Sequence, residues 1–196
     1  KGSLIYFSSD YVFSGENRKP YSESDAPRPI NIYGASKLAG EDLVRATCDR
    51  HFIFRVSSLF GIAGALGKGG NFVETMIAKA QKGEELKVID DQIMSPTSTG
   101  EVARVVCHFI ENNLASYGTY HFAGKGRCSW YDFTKTILKE CKLSGSVLRV
   151  SWREYPSVLR RPEYSVLDTT KISNLVTVPT WEEHLKNYLI AKGYIK

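Results

Sequence analysis

Four cysteines occur in 196 residues, with no Cys-x-x-Cys pair and no histidine at zinc-ligand spacing. That pattern argues against a disulfide framework and a structural metal site. Cys48, Cys107, Cys128 and Cys141 read instead as reduced thiols of a cytosolic protein. No apolar run approaches the roughly 20 residues of a membrane span, and no signal peptide opens the chain, so no membrane partner is expected and a cytoplasmic location is. Repeats, low-complexity tracts and linkers are missing. The net charge is +5, but the charges are scattered and form no basic helix face or aromatic–basic alternation. Such a balance suits small anionic ligands better than nucleic acid. An initiator Met is missing too. Lys1-Gly2-Ser3 reads as a glycine-capped helix end running into a strand, as inside a longer polypeptide.

What is present is ordinary globular material, 42% hydrophobic and 24% charged, enough for a real core. Leu4–Ser9 reads as a buried strand, followed by a turn-rich stretch over 11–31 with Pro20, Pro27 and Pro29. Periodicity predicts a helix over 32–48 and a strand over 51–60, then a Gly-rich loop over 61–70. Asn71 is placed to cap a helix reaching about Lys82. A short strand follows at Leu86–Ile89, a helix over 99–112, a strand over 118–123, and a helix capped by Ser129 and ending at Cys141. Residues 147–152 look extended, and 181–192 form a last helix. Strands alternating with helices imply an α/β protein with a mostly parallel sheet.

The spacing Tyr-x-x-x-Lys occurs three times, at Tyr33–Lys37, Tyr131–Lys135 and Tyr188–Lys192. On a helix, i and i+4 share a face, and a nearby ammonium makes a phenol a better proton donor near neutral pH. On the order of one such match is expected by chance in a chain this rich in Tyr and Lys, so context must decide. Only Tyr33 follows a strand that ends in hydroxyls, with Ser9 lying 24 residues before it. Ligands of open α/β sheets bind at the carboxyl ends of strands. A Ser there, with Tyr and Lys on the next helix, can hold and protonate a carbonyl oxygen. The plainer alternative for Ser8-Ser9-Asp10 is a strand exit with an Asx-turn.

The run PYSESDAPRPINIYGASKLAGE, together with SSDYVFSG, resembles the sugar-nucleotide reductase branch of the extended short-chain dehydrogenase/reductase family. The resemblance continues in order through RVSSLFG, GKGGNFVETMIAKA, DQIMSPTSTGEVA, GTYHFAG, SWYDF and RRPEYSVLDTTK, over nearly the whole chain. It implies the C-terminal part of a Rossmann-like parallel sheet (residues 1–60, with the Tyr/Lys segment). A small α/β substrate-binding region (61–196) would send some segments back to that sheet. It implies NADPH- or NADH-dependent reduction of a nucleotide-linked 4-keto-6-deoxy sugar. Tyr33 would be the proton donor, Lys37 would hold the nicotinamide ribose, and Ser9 would bind the keto oxygen. Asp10 and Tyr11 would lie beside the sugar, and Arg55 and Ser57 beside the nicotinamide. Asn71, Lys68 and Arg161 would contact the diphosphate. Glu41 matches the pattern as well, and a helix salt bridge accounts for it. The branch usually has Thr-Ser-Trp where this chain has Val56-Ser57-Ser58, which leaves the particular sugar open.

GIAGALG at 61–67 imitates a dinucleotide fingerprint. The glycines of a true fingerprint open the helix themselves; here Lys68-Gly69-Gly70 intervene before Asn71. No fingerprint precedes Ser9. The chain is therefore expected to start at a central strand, with the N-terminal coenzyme half or a partner chain needed for stability; a homodimer is a further candidate. Two other readings remain within reach of the resemblance: an epimerase or dehydratase of the same superfamily, and a non-catalytic regulatory subunit like the β subunit of methionine adenosyltransferase. Trp130, Trp152 and Trp181 read as core residues, and the four histidines receive no role.

Overall fold

A computed structural model describes residues 2–64, 70–112, 116–154 and 159–196. The chain runs β1 (Leu4–Ser9), a 3-10 turn (Asp10–Val12), α1 (Ile32–Thr47), β2 (His51–Val56), β3 (Leu59–Phe60), α2 (Phe72–Gln81), β4 (Leu86–Ile89), β5 (Ile93–Met94) and β6 (Thr97–Ser98). It continues with α3 (Thr99–Glu111), β7 (Gly118–Phe122), β8 (Cys128–Ser129), α4 (Trp130–Glu140), β9 (Val147–Val150), a second 3-10 turn (Trp152–Glu154), α5 (Thr170–Ser173) and α6 (Trp181–Ala191). The helices begin where local chemistry directs. Asn31 and Asn71 accept the amides of Gly34 and Glu74, and Ser129 and Thr180 form capping boxes with Asp132 and Glu183, satisfying amides that the first turn leaves without partners.

The main sheet has the order β1-β2-β7, all parallel, with β7 as its third strand. Its two faces differ in kind. Phe52, Phe54 and Val56 of β2 and Tyr120 and Phe122 of β7 pack with Val102, Val105 and Phe109 of α3 and with Ile172 and Val176. The opposite face carries Tyr6, Ser8, Arg55, Thr119 and His121 toward α1, through contacts to Lys37, Glu41 and Arg45. Period-two alternation allows one sheet to be apolar on one side and polar on the other. A second core joins Phe60, Val73, Ile77, Phe133, Ile137, Trp181, Leu185 and Leu189 beneath the region that carries α2, α4 and α6.

The strand expected over 51–60 is split. Ser58 adopts φ 45°, the left-handed region uncommon outside glycine, and this turn sends Leu59–Phe60 to pair with β6 instead of extending β2. The extended stretch expected to reach residue 152 stops at Val150, where the chain tightens into the second 3-10 turn. No helix among the described residues is long and apolar enough to cross a membrane.

Candidate active site

The polar stop of β1 is a built hydrogen-bond node. Ser9 Oγ donates to Asp10 Oδ1 at 2.9 Å and accepts the Tyr11 amide at 3.1 Å, capping the 3-10 turn. Ser57, at the end of β2, donates to Asp10 Oδ2 at 2.8 Å. Ser165, from the segment after Arg161, also hydrogen-bonds the carboxylate. Asp10 is 2% exposed. Burial pushes its pKa up to about 6 even though the three hydroxyls pull it down. Tyr11 is pushed up to about 12, first by burial and then by the Asp10 charge. Ser165, with Arg161 and Asp168, belongs to the RRPEYSVLDTTK run that carries the resemblance, but the sequence did not mark it as the third support of Asp10.

Helix α1 brings its first turn onto this node. Gly34 presses against the backbone of Tyr11: a Cβ there would lie 2.0 Å from the Tyr11 carbonyl oxygen. The Tyr33 ring meets the Tyr11 ring edge-on at 5.8 Å, and about half of Tyr33 is exposed. One turn on, Lys37 Nζ sits 4.8 Å over the Tyr6 ring. Tyr6 donates its hydroxyl to the Lys37 carbonyl at 3.2 Å, in a notch that exists because residue 40 is glycine. Ser9, Asp10, Tyr11, Tyr33 and Ser57 therefore converge at the carboxyl end of β1, with Lys37 one turn along α1, over Tyr6.

Two expected contacts fall elsewhere. Arg55 is 2% exposed. Its Nε and Nη2 bind Glu41 at 2.8 and 2.7 Å, and Nη1 lies 3.4 Å from His121 Nε2. Its guanidinium faces α1 inside the protein. Asn71 is spent on structure: Oδ1 caps Glu74, and Nδ2 donates to the Gly61 carbonyl and to the Tyr188 hydroxyl at 2.9 Å. Lys68 lies outside the described residues. The other two Tyr-x-x-x-Lys copies serve packing. Tyr188 is buried, its pKa pushed up to about 12 mainly by burial, and Lys192 pairs with Glu74 at 2.6 Å. Tyr131 lies under Arg149 at 4.5 Å.

Beside the node opens a cleft of about 580 Å³. Phe72, Met76, Val88, Trp130 and Trp152 contribute its apolar and aromatic wall, and Lys79, Lys87, Arg153, Arg160 and Arg161 its cations. Trp152 thus lines a cavity, contrary to its expected core role; Trp130 lines the cavity as well but packs against the core beside Phe72 and Phe133, and Trp181 is buried as expected. Arg160 and Arg161 bring the cleft's cations toward the first turn of α1. The wall suits a flat base and the cations a diphosphate. Asn31, the cap of α1, holds the Arg160 carbonyl at 2.8 Å, so the helix bearing Tyr33 and the arginine segment are tied together.

For a nicotinamide coenzyme the residues present fit one end. Tyr33 and Lys37 stand at an open rim, beside the outer edge of β1, which no strand pairs among the described residues. A pyrophosphate cradle is not found among the described residues. Asn71, not a glycine, opens α2, and Gly61 is pressed against Thr99.

The family model described as "RmlD substrate binding domain" matches residues 1–193. The spore coat polysaccharide biosynthesis protein SpsK of Bacillus subtilis is 40% identical over 186 residues, covering 94% of this chain and 63% of that protein. The dTDP-4-dehydrorhamnose reductase of Escherichia coli K12 is 36% identical over 197 residues, covering 95% and 64%. The crystal structure of dTDP-4-dehydrorhamnose reductase from Bacillus anthracis in complex with NADP superposes with a TM-score of 0.88 at 40% identity, covering 96% of this chain and 66% of that one. The chain thus spans about two thirds of the length of these relatives.

Proposed function

The chain belongs to the RmlD substrate-binding family, and from that premise we propose that it is the catalytic and substrate-binding portion of a sugar-nucleotide reductase. The substrate is a 4-keto-6-deoxy sugar on a nucleoside diphosphate, of the dTDP-4-dehydrorhamnose kind. The observation that carries the reading is the hydrogen bond from Asn31, the cap of the Tyr33 helix, to the Arg160 carbonyl, which ties that helix to the segment lining a cationic, aromatic-walled cleft. NADPH is the proposed coenzyme, in line with the NADP held by the Bacillus anthracis reductase. When bound, it supplies the hydride for the keto carbon.

The chain's own residues do the rest. Tyr33, half exposed at the rim, donates a proton to the keto oxygen as that oxygen gains charge. Lys37, held over Tyr6, lies on the same helix face, placing its positive charge beside the phenol and the ribose. To hydrogen-bond the keto oxygen, Ser9 turns its one hydroxyl proton away from Asp10, whose carboxylate stays partnered by Ser57 and Ser165. Tyr11 flanks the sugar. Arg160 and Arg161 neutralise the diphosphate, and Trp130, Trp152 and Phe72 wall the base. Arg55 and Asn71 act from behind, by fixing α1 and α2.

The test is Tyr33→Phe in the enzyme that joins this chain to its coenzyme-binding half. A loss of about 10²- to 10⁴-fold in kcat is expected, with one coenzyme oxidised per product formed. An unchanged rate would refute the role of Tyr33. Product formation without net coenzyme consumption would turn the assignment to an epimerase.

A further inference from the structure

Glu41 is 0% exposed, and its carboxylate accepts four hydrogen bonds. Ser8 Oγ donates to Oε1 at 2.5 Å and Arg55 Nε to the same oxygen at 2.8 Å. Arg55 Nη2 and Arg45 Nη2 both donate to Oε2 at 2.7 Å. The partners come from three elements: β1, β2 and α1 itself. Ser8 pairs in register with Arg55, and Arg55 with His121. One transverse row of the sheet, Ser8-Arg55-His121, therefore lies under a single carboxylate. Ser8 directly precedes Ser9. Tyr33, Lys37 and Glu41 succeed one another at four-residue steps along α1, on one face.

A buried ion pair is a poor device for stability alone, since well-packed apolar residues of similar volume hold a fold as firmly without the desolvation penalty. What a bidentate pair adds is direction: it sets how far α1 is rotated and slid over β1, where an apolar contact would tolerate either movement. Resting on the reductase reading above, we propose that Glu41 is a positioning residue. Its clamp on Ser8 and Arg55 fixes the separation of Ser9 and Tyr33 across which the keto oxygen is held. It touches neither substrate nor coenzyme.

The discriminating variant is the double replacement Glu41→Leu with Arg55→Met in the full enzyme. It removes both charges together and so avoids leaving one buried and unpaired. The melting temperature is expected to stay near that of the wild type, and the KM values for substrate and coenzyme to change less than about threefold. kcat is expected to fall about ten- to a hundredfold, the effect of an error near 1 Å in a reacting geometry. A purely structural role predicts unchanged kcat once the fold is retained, so a double variant within about twofold of wild-type kcat overturns the proposal. If the double variant does not fold, Ser8→Ala decides: it removes the β1 anchor alone. A several-fold loss of kcat at constant KM supports the clamp, and an unchanged kcat overturns it. If the wild-type enzyme shows no turnover, the reductase reading fails, and a crystal structure of the double variant, or of Ser8→Ala where the double variant does not fold, judges the clamp. Displacement of Tyr33 relative to Ser9 by about 1 Å supports it, and superposition on the wild type overturns it.

Discussion

Asp10 and His121 titrate in opposite senses, and their opposition shapes the acid stability of the protein. Burial raises Asp10 from 3.8 to about 6. The folded chain then holds a proton that the unfolded chain has released, and the stability from this group falls as pH rises from about 4 to 6. Burial, reinforced by Arg55, lowers His121 from 6.5 to about 3. Here the unfolded chain takes up the proton, and stability is lost as pH drops from 6.5 toward 3. Across about pH 4 to 6 the two slopes, each about 1.4 kcal/mol per pH unit, cancel. Glu41 is buried, but its hydrogen bonds from Arg55, Ser8 and Arg45 hold it below its usual 4.5, so its loss of stability falls below that pH. Asp10→Asn should expose the histidine: urea denaturation of the variant is expected to show stability falling by about 3 kcal/mol from pH 6 to pH 4, against a nearly flat wild type. Parallel pH curves for the two proteins would show that the cancellation is absent. Neither group was legible as coupled in the sequence, where His121 carried no role and Asp10 read only as a neighbour of the sugar.

At the scale of elements, α1 is the part that most depends on small residues. Its periodicity was readable from local sequence; its cap, Asn31, came from the structure. The need for glycine at 34 and 40 was not readable either, because it arises from atoms 23 and 34 residues away, at Tyr11 and Tyr6. A methyl at 34 meets a backbone carbonyl in the 3-10 turn, which cannot swing aside like a flexible side chain. Gly34→Ala is therefore expected to destabilise the protein by about 1–3 kcal/mol, the usual cost of overpacking, and to move Tyr33 away from Tyr11. Calorimetry reads the first effect and the Tyr33 ring contacts by NMR the second. A variant with wild-type melting and unchanged ring contacts would mean that the turn yields. The strands show a similar division. The bounds of β1, Leu4–Ser9, were readable from one apolar run and its polar stop, but its expected burial was not met, since Leu4 and Phe7 are exposed; two-residue strands such as β5 and β8 carry too little periodicity to be seen.

For the whole molecule the open side of the sheet matters most. Along β1, Phe7 is 44% and Leu4 38% exposed, and the outer edge pairs with no strand among the described residues. An uncovered edge with apolar side chains invites further pairing. The 196-residue chain on its own is accordingly expected to associate or to melt without cooperativity, and addition of a coenzyme-binding half to suppress both. Light scattering with differential scanning calorimetry is the check: a monomeric, cooperative melt of the chain alone would show that this edge needs no cover.

The sequence by itself determined the α/β class, the longer helices and strands, the caps at Asn71 and Ser129, and the reasons for proposing Tyr33 over Tyr131 and Tyr188. All of these depend on residues within a few positions of one another, or on one strand and the helix that follows it. Tertiary structure alone decided that Arg55 turns inward to Glu41, that both hands of the Asn71 amide are occupied, that Ser58 breaks its strand, and that Trp130 and Trp152 face a cleft. It also decided that Asp10 is buried under Ser57 and Ser165. The reason is register. Once β1, β2 and β7 align, each side chain's face and neighbours are set by partners many residues away, and no local pattern in the chain records which partner arrives.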